Sequence, residues 1–232
     1  MTIFNFDGVP VRLHSTFFII AILYIVMGSF NAGLVGAISA ATLVSMLFGS
    51  VLLHEMGHAV MAKRFGIGTR AITLHLLGGL ASIEREPETP KEEVYIALAG
   101  PAVNLVLLLF FLPLVYLQVP GAMDMAIINT VMGVFNLFPA YPMDGGRVFK
   151  AILTMKYGVV KAKKISLQVT VASSVVLALV GLYLGWVGLV LVAGFLFVLA
   201  RTMTSSASAS SFSVPLGRMI VSSGPITELG VL

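Results

Sequence analysis

The sequence predicts an all-α polytopic membrane protein with about six transmembrane helices and a short, membrane-associated β element after the second helix. Three observations support this fold class. Of the 232 residues, 58% are hydrophobic and only 10% are charged, whereas soluble domains carry about 25% charged residues. The hydrophobic residues form runs of a length that crosses a bilayer. Lysine and arginine are absent from every second connection between those runs, as the positive-inside rule describes for membrane proteins.

The hydrophobic runs define the predicted spans in chain order. Residues 1–15 form a short lead, and Asn31 and Gly33 separate the first span from a second, longer one. Later runs are bounded by proline, glycine or charged residues, which end helices. The predicted spans are 16–30, 34–62, 94–116, 126–138 with a continuation at 148–157, 165–183 and 186–199. We therefore predict one membrane domain over 1–203 and a flexible cytosolic tail over 204–232, which is rich in serine and alanine.

The segment between the second and third spans has a different pattern. Residues 72–75 alternate between hydrophobic and polar side chains, and Gly78 and Gly79 follow shortly afterwards. Alternation with a period of two is typical of a strand. We predict a short β element with a glycine turn here, not a further transmembrane helix.

The distribution of positive charge predicts the orientation of the chain. Segments 31–36, 117–124 and 184–185 contain no lysine or arginine, so the positive-inside rule places both termini in the cytosol. We expect a protein that crosses the cell membrane several times. The pI near 9.5 can indicate a nucleic-acid partner, but the net charge is only +4 and the basic residues lie in short loops. The expected partner is the lipid bilayer, and no nucleic acid is expected.

The second predicted span contains His54-Glu55-Met56-Gly57-His58, which is typical of a zinc site. Residues four apart lie on one face of a helix, so His54 and His58 can bind one ion. Glu55 can then act on a water molecule at that ion. Ionisable residues within a membrane are costly and usually functional. The chain contains no cysteine, which excludes a thiolate metal site and a disulfide framework.

Zinc at a catalytic site needs a third protein ligand. The candidates outside the motif are His14, His75, Asp124, Asp144 and the glutamates of segment 84–93. Asp124 is predicted on the opposite side of the membrane, and the glutamates lie in a charged loop where water can solvate them. His75 is expected to pack in the β element, and His14 to lie at the membrane interface.

Asp144 is the preferred third ligand. It follows an interruption of the fourth span at 139–142, which contains two prolines, and it precedes two glycines that permit close backbone approach. The alternative is that Asp144 caps the helix that follows. A ligand role also explains the interruption, because irregular backbone at membrane depth is tolerated only where it lines a cavity or is buried in protein.

The motif pair resembles the site-2 protease family of intramembrane zinc metalloproteases. It consists of His54-Glu55-x-x-His58 and of Asn136 through Pro142-x-Asp144-Gly145, and the resemblance extends over about residues 8–203. It implies an intramembrane metalloprotease domain that holds one zinc ion on His54, His58 and Asp144. It also implies that Glu55 is the general base and that Asn136 steadies the substrate or the oxyanion.

The resemblance extends to two further motifs. Gly78 and Gly79 would belong to a membrane-associated strand, where their small size leaves room for an extended substrate. Gly100-Pro101-x-x-Asn104 matches a packing motif of the family. Two alternatives stay open: Asn136 caps carbonyls freed at the helix interruption, and Asn104 only joins one helix to another. The PDZ and CBS domains that many relatives carry are not visible in the sequence.

The resulting hypothesis is hydrolysis of a peptide bond in the transmembrane segment of another membrane protein. An intramembrane zinc transporter is the alternative, because His and Glu clusters also line ion pathways. A transporter should carry several such clusters along its helices, whereas the spans predicted here contain one. A third hypothesis, a membrane scaffold without zinc, leaves Glu55 in the membrane unexplained.

Overall fold

The computed structural model describes residues 2–75 and 78–212, which form four strands and six helices. The mostly helical fold with one small sheet confirms the predicted class. The strands are β1 (Thr2–Phe6), β2 (Val9–Leu13), β3 (Thr69–His75) and β4 (Gly78–Ile83). The helices are α1 (Ser15–Arg64), α2 (Pro90–Tyr116), α3 (Ala122–Asn136), α4 (Asp144–Tyr157), α5 (Val159–Leu184) and α6 (Val187–Phe212).

Helix α1 consists of two antiparallel halves. Its 50 residues are interrupted at Ala32 and Gly33, whose dihedral angles are not helical, and Gly33 has a φ of 57°. A Cβ atom on Gly28 would lie 2.9 Å from the Cβ of Ala40, because the two halves approach closely on either side of the reversal. Further along, the rings of Phe17 and Phe48 pack with their centroids 4.2 Å apart. The two halves correspond to the predicted spans 16–30 and 34–62.

Within the described part of the chain, three helices are long and apolar enough to cross a membrane, judged by length and composition: α1, α2 and α5. The apolar part of α6, Val187–Thr202, is shorter. Helix α6 continues to Phe212, so the first nine residues of the predicted tail are helical, and 213–232 lie outside the described residues. The side of the membrane on which each terminus lies stays a prediction.

The predicted interruption of the fourth span separates α3 from α4. Helix α4 begins at Asp144, four residues earlier than the predicted continuation at 148. The first turn of α4 contains two glycines, and neither position has room for a side chain. A Cβ atom on Gly145 would lie 2.6 Å from the Phe138 oxygen, and one on Gly146 would lie 2.6 Å from the Ala140 oxygen. The sequence predicts that these glycines belong to the interruption. In the structure they lie in α4 and allow this helix to pack against the interruption.

The β element is larger than the sequence predicts. The four strands form one sheet in the order β1-β2-β3-β4, and the lead 1–15 supplies two of them. Asp7 and Gly8 have positive φ angles of 50° and 82°, as a tight β-hairpin turn requires. Strand β2 pairs in parallel with β3, with Val11 opposite Ile72. This pairing joins segments about 60 residues apart, so local periodicity alone does not reveal it.

The sheet packs against the half of α1 that carries the histidine motif. Val11, Ile72 and Leu74 are buried together with Ala59, which directly follows His58. Burial of each such aliphatic side chain contributes about 1.5–3 kcal/mol. The sheet is therefore fixed to the same helix as the candidate metal ligands.

Candidate metal centre

His54 and His58 project from one face of α1 into the protein interior. Their side chains are 5% and 6% exposed, and their Nε2 atoms lie 3.1 Å apart. The four-residue spacing on a continuous helix produces this proximity directly. Local sequence is thus sufficient to bring two imidazole nitrogens to one point.

Asp144 completes a group of three. Its Oδ2 atom lies 3.1 Å from Nε2 of His54 and 3.2 Å from Nε2 of His58, and the three side chains are buried. The N-cap residue of α4 is Met143, without a side-chain hydrogen bond. Asp144 is therefore the first residue of the helix, and its carboxylate points at the histidines.

The spacing of these donor atoms fits a zinc ion. With zinc–ligand bonds of about 2.0–2.1 Å, two ligand atoms of a tetrahedral site lie about 3.3 Å apart. The three distances in the cluster, 3.1, 3.1 and 3.2 Å, are close to this value. Two imidazoles and a carboxylate are also donor types that zinc accepts at catalytic sites.

The far ring nitrogens of both histidines have their own acceptors. Nδ1 of His58 donates to the backbone oxygen of Ile96 at 2.7 Å, and Nδ1 of His54 lies 2.6 Å from Oδ1 of Asn104. Such partners orient metal-binding imidazoles and leave Nε2 for the ion. Both come from α2, so this helix orients the two histidines of α1.

Helix α2 also needs glycine beside the cluster. A Cβ atom on Gly100 would lie 2.6 Å from Nε2 of His54 and would collide with the His58 ring. On the facing helix, a Cβ on Gly57 would lie 2.8 Å from the Ala99 oxygen. The two helices therefore approach closely at the cluster because glycine occupies both positions.

The other carboxylate oxygen of Asp144 faces a positive charge. Its Oδ1 lies 3.5 Å from Nη1 of Arg147, and Nε of Arg147 donates to Oε1 of Glu93 at 2.8 Å. The prediction that segment 84–93 forms only a solvated acidic loop is wrong for Glu93. Helix α2 begins at Pro90, so Glu93 lies in its first turn and pairs with α4.

The interruption between α3 and α4 is held by α5. The backbone N–H of Tyr141 donates to Oγ1 of Thr170 at 3.0 Å, and that hydroxyl donates to the Ser166 backbone oxygen at 2.9 Å. Thr170 is 1% exposed. The segment that precedes Asp144 thus has a partner inside the protein, as irregular backbone at membrane depth requires.

The other predicted catalytic and substrate-binding residues lie in three places. Glu55 follows His54 on α1 and is half-buried. Asn136 ends α3 at the start of the interruption, and none of the described contacts joins it to the three cluster residues. Gly78 and Gly79 begin β4, opposite His75 and Leu74 of β3.

The rejected ligand candidates lie outside the cluster. Asp124 occupies the first turn of α3. His14 is the N-cap of α1 and accepts from the Thr16 backbone N–H at 3.3 Å. Its ring packs on His75, with the centroids 4.7 Å apart. Both histidines thus have structural roles at the contact between sheet and helix.

Sequence reasoning missed three residues that support the cluster. Arg147 carried a usable signal, because it lies three residues after Asp144 and i,i+3 pairs meet on a helix. Asn104 was placed in a packing motif without its contact to His54. Asn129 accepts a hydrogen bond from Nδ2 of Asn104 at 2.9 Å. In the sequence it is recognisable only as a polar residue in an apolar helix.

Comparisons with known proteins identify similar sequences and structures. The sequence model of peptidase family M50 matches residues 42–124 and 122–177, which include all three cluster residues. A zinc metalloprotease of Methanocaldococcus jannaschii is 34% identical over 206 residues, covering 84% of this chain and 58% of that protein. A solved site-2 protease structure from the same organism matches with a TM-score of 0.67 and 33% identity, covering 87% of this chain and 94% of that one. The chain spans less than two thirds of the length of the curated relatives that it matches.

Proposed function

The chain belongs to peptidase family M50, and we propose on this basis that it is an intramembrane zinc metalloprotease of the site-2 type. Its substrates are membrane proteins, which it cleaves at peptide bonds within or near their transmembrane segments. The observation that carries the proposal is the convergence of His54, His58 and Asp144 within 4.8 Å, with Glu55 next to His54 on α1. The similar proteins are named zinc metalloproteases, which favours proteolysis over zinc transport.

We assign one zinc ion to Nε2 of His54, Nε2 of His58 and Oδ2 of Asp144. When bound, zinc supplies a Lewis acid that polarises the scissile carbonyl and activates water for attack. The carboxylate of Asp144 would offset part of the charge of a bound zinc ion, and the two imidazoles would bind as neutral donors. Hydrogen bonds from the two Nδ1 atoms to the Ile96 backbone oxygen and to Oδ1 of Asn104 keep the histidine rings aimed at the ion.

The proton transfers belong to Glu55. Its carboxylate takes a proton from the attacking water and later gives it to the amine of the departing peptide. Asn136 is proposed to donate from its side-chain amide to the carbonyl oxygen as negative charge develops there. Its position at the end of α3, next to the interruption that leads to Asp144, supports this role.

Water can approach from the side of the cluster that carries Arg147 and Glu93. These side chains are 27% and 24% exposed, whereas Asp144 is 9% exposed. Their ion pair is therefore more accessible than the three cluster residues that it adjoins. This supports hydrolysis, which needs a supply of water inside an apolar protein.

The outer edge of β4 is the proposed binding place for an extended substrate. A peptide bond in a continuous helix is hidden by its own hydrogen bonds, and unpaired backbone groups in lipid cost several kcal/mol each. Among the described residues, β4 pairs on one side only, with β3. Gly78 and Gly79 at its start would admit a substrate strand by β-addition.

We also propose that the chain crosses the cell membrane several times, with cytosolic termini.

The proposal is tested by replacing the base without touching the ligands. In the purified full chain, Glu55→Gln should keep about one zinc ion per chain and lose cleavage of a labelled single-span membrane protein, because the ligands remain and the proton acceptor does not. Glu88→Gln is the control, since Glu88 is an exposed surface residue paired with Arg85. Cleavage by the Glu55→Gln protein at the wild-type rate would rule out the mechanism.

A further inference from the structure

A set of buried hydrogen bonds connects His54 on α1 to α2 and α3 and returns to α1 at Ser50. Nδ1 of His54 lies 2.6 Å from Oδ1 of Asn104 on α2. Nδ2 of Asn104 donates to Oδ1 of Asn129 on α3 at 2.9 Å. Nδ2 of Asn129 donates to Oγ of Ser50 at 3.2 Å, one turn before His54 on α1. The three intervening side chains are at most 1% exposed.

One backbone carbonyl gives this set a single direction. Nδ2 of Asn129 also donates to the backbone oxygen of Met125 at 2.8 Å. A carbonyl oxygen can only accept, so the amide nitrogen of Asn129 must face it and Oδ1 must face Asn104. The amide nitrogen of Asn104 then faces Asn129, and its oxygen faces His54. Nδ1 of His54 is left as the donor, which keeps the lone pair on Nε2.

We propose that Asn129 is a positioning residue for the metal centre, which acts through Asn104 to fix the orientation and tautomer of His54. This inference rests on the proposed zinc site. Asn129 contacts Asn104, and Asn104 contacts the metal ligand His54. Asn129 is thus assigned no direct contact with the ion or the substrate. Its effect is to make His54 a preformed ligand, because any other arrangement leaves a buried amide or carbonyl without a partner.

The position of Asn129 on α3 gives the set a second consequence. Asn136 lies seven residues further along the same helix, so the two asparagines share one face, about two turns apart. The bonds from Asn129 to Ser50 and Asn104 therefore fix the height and rotation of α3 relative to His54. They set the place from which Asn136 is proposed to reach the substrate.

The alternative role for Asn129 is to hold helices together without affecting the metal. The two roles differ in what they predict for zinc affinity. A residue that only joins helices lowers the melting temperature of the metal-free protein and leaves the affinity of the folded protein unchanged. A positioning residue lowers the affinity itself, and outer partners of metal ligands typically change it by about 10–100-fold.

The experiment measures zinc affinity by competition with a chelator and, separately, the melting temperature of the metal-free full chain in detergent. Asn129→Leu should bind zinc about tenfold or more weakly than wild type. Once Asn104 has been replaced by Ala, adding Asn129→Leu should weaken binding little further, because both residues act through one path. Wild-type affinity in a folded Asn129→Leu protein would overturn the inference. Full additivity of the two changes would also overturn it.

A milder pair of variants covers the case in which Asn129→Leu does not fold. Ser50→Ala removes one of the two acceptors of Asn129 and should weaken zinc binding by about twofold or more. Ser174→Ala is the matched control, because Ser174 is 1% exposed and bonds only within its own helix, to the Val171 oxygen. Equal affinities for these two variants would overturn the inference. A wild-type chain that binds no zinc would instead refute the proposed function.

Discussion

The two halves of the metal centre are built in different ways. His54 and His58 lie on one continuous helix, where a four-residue spacing brings them together. Asp144 lies at the start of a helix that follows an interruption, and it is placed by contacts with other elements: Gly145 against the Phe138 oxygen, Thr170 against Tyr141, and Arg147 against Glu93. The histidine half is thus determined locally, and the aspartate half depends on tertiary packing.

This difference teaches where each half is vulnerable. A helix holds two residues in register as long as it stays helical, so the spacing of His54 and His58 needs no distant contact, and the hydrogen bonds of their far nitrogens orient the rings. The aspartate half requires several contacts between distant segments, and each can be weakened separately. Changes to the contacts that place Asp144, or to the hydrogen bonds that orient the histidine rings, should therefore give graded losses of zinc affinity, whereas a side chain that intrudes on the histidines should give an abrupt one.

The largest effect is expected when Asp144 itself is removed. Asp144→Ala leaves two imidazoles, which is fewer than the three protein ligands of a catalytic zinc site, so zinc occupancy of the purified protein should fall well below one per chain. Asp124→Ala is the control, since Asp124 lies in the first turn of α3, outside the cluster. Full zinc content in the Asp144→Ala protein would show that this carboxylate is not a ligand.

An abrupt loss is expected at Gly100, on the histidine side. In Gly100→Ala the new methyl group would lie 2.6 Å from Nε2 of His54 and against the His58 ring, so either the rings or α2 must move. We expect zinc affinity to fall by about tenfold or more and unfolding stability by about 1–3 kcal/mol.

Gly194→Ala is the matched control for this change. It adds the same methyl group to a helical glycine of α6 that has no atom within 4 Å of the added position. Chelator competition and thermal unfolding in detergent measure both quantities. If the two alanine variants behave alike, close packing at Gly100 is not a requirement of the site.

A smaller, graded loss is expected at Arg147, on the aspartate side. Arg147→Leu removes the positive charge 3.5 Å from Oδ1 of Asp144 and leaves Glu93 without its partner. Asp144 keeps its contacts with the histidines, so zinc affinity should fall by less than the roughly tenfold expected at Gly100. Arg85→Leu, which breaks an exposed pair with Glu88, should leave affinity unchanged. A loss as complete as in Asp144→Ala would contradict the graded behaviour expected of the aspartate half, because Arg147 is protonated and cannot itself bind zinc.

The sequence predicts the histidine pair and the mostly helical fold because both depend on local patterns. Apolar runs identify the helices without tertiary information, and the motif places His54, Glu55 and His58 on one turn. Asp144 was reached by elimination and by the proline and glycine residues around it. These proline and glycine residues indicate an irregular segment. In the structure, the carboxylate of Asp144 lies within 3.2 Å of both histidines.

The remaining features depend on pairs of residues far apart in the chain. Arg147 and Glu93 are 54 positions apart, and Asn104 reaches His54 over 50 positions. Strand β2 pairs with β3, although the whole of α1 lies between them in the sequence. In each case a single sequence shows the polar or β-forming residue but not its partner. The exception is the N-terminal hairpin, for which Asp7-Gly8 is a local signal, because this pair of residues favours a tight β-hairpin turn.

The most direct test of a zinc ion that joins the two halves is X-ray absorption spectroscopy at the zinc edge on the purified full chain. We predict about one zinc ion per chain, with two imidazole nitrogens and at least one carboxylate oxygen at about 2.0–2.2 Å. In Asp144→Ala, any zinc that remains should show the imidazole signals and lose the carboxylate. Absence of bound zinc in the wild type, or an identical spectrum in the two proteins, would contradict the account.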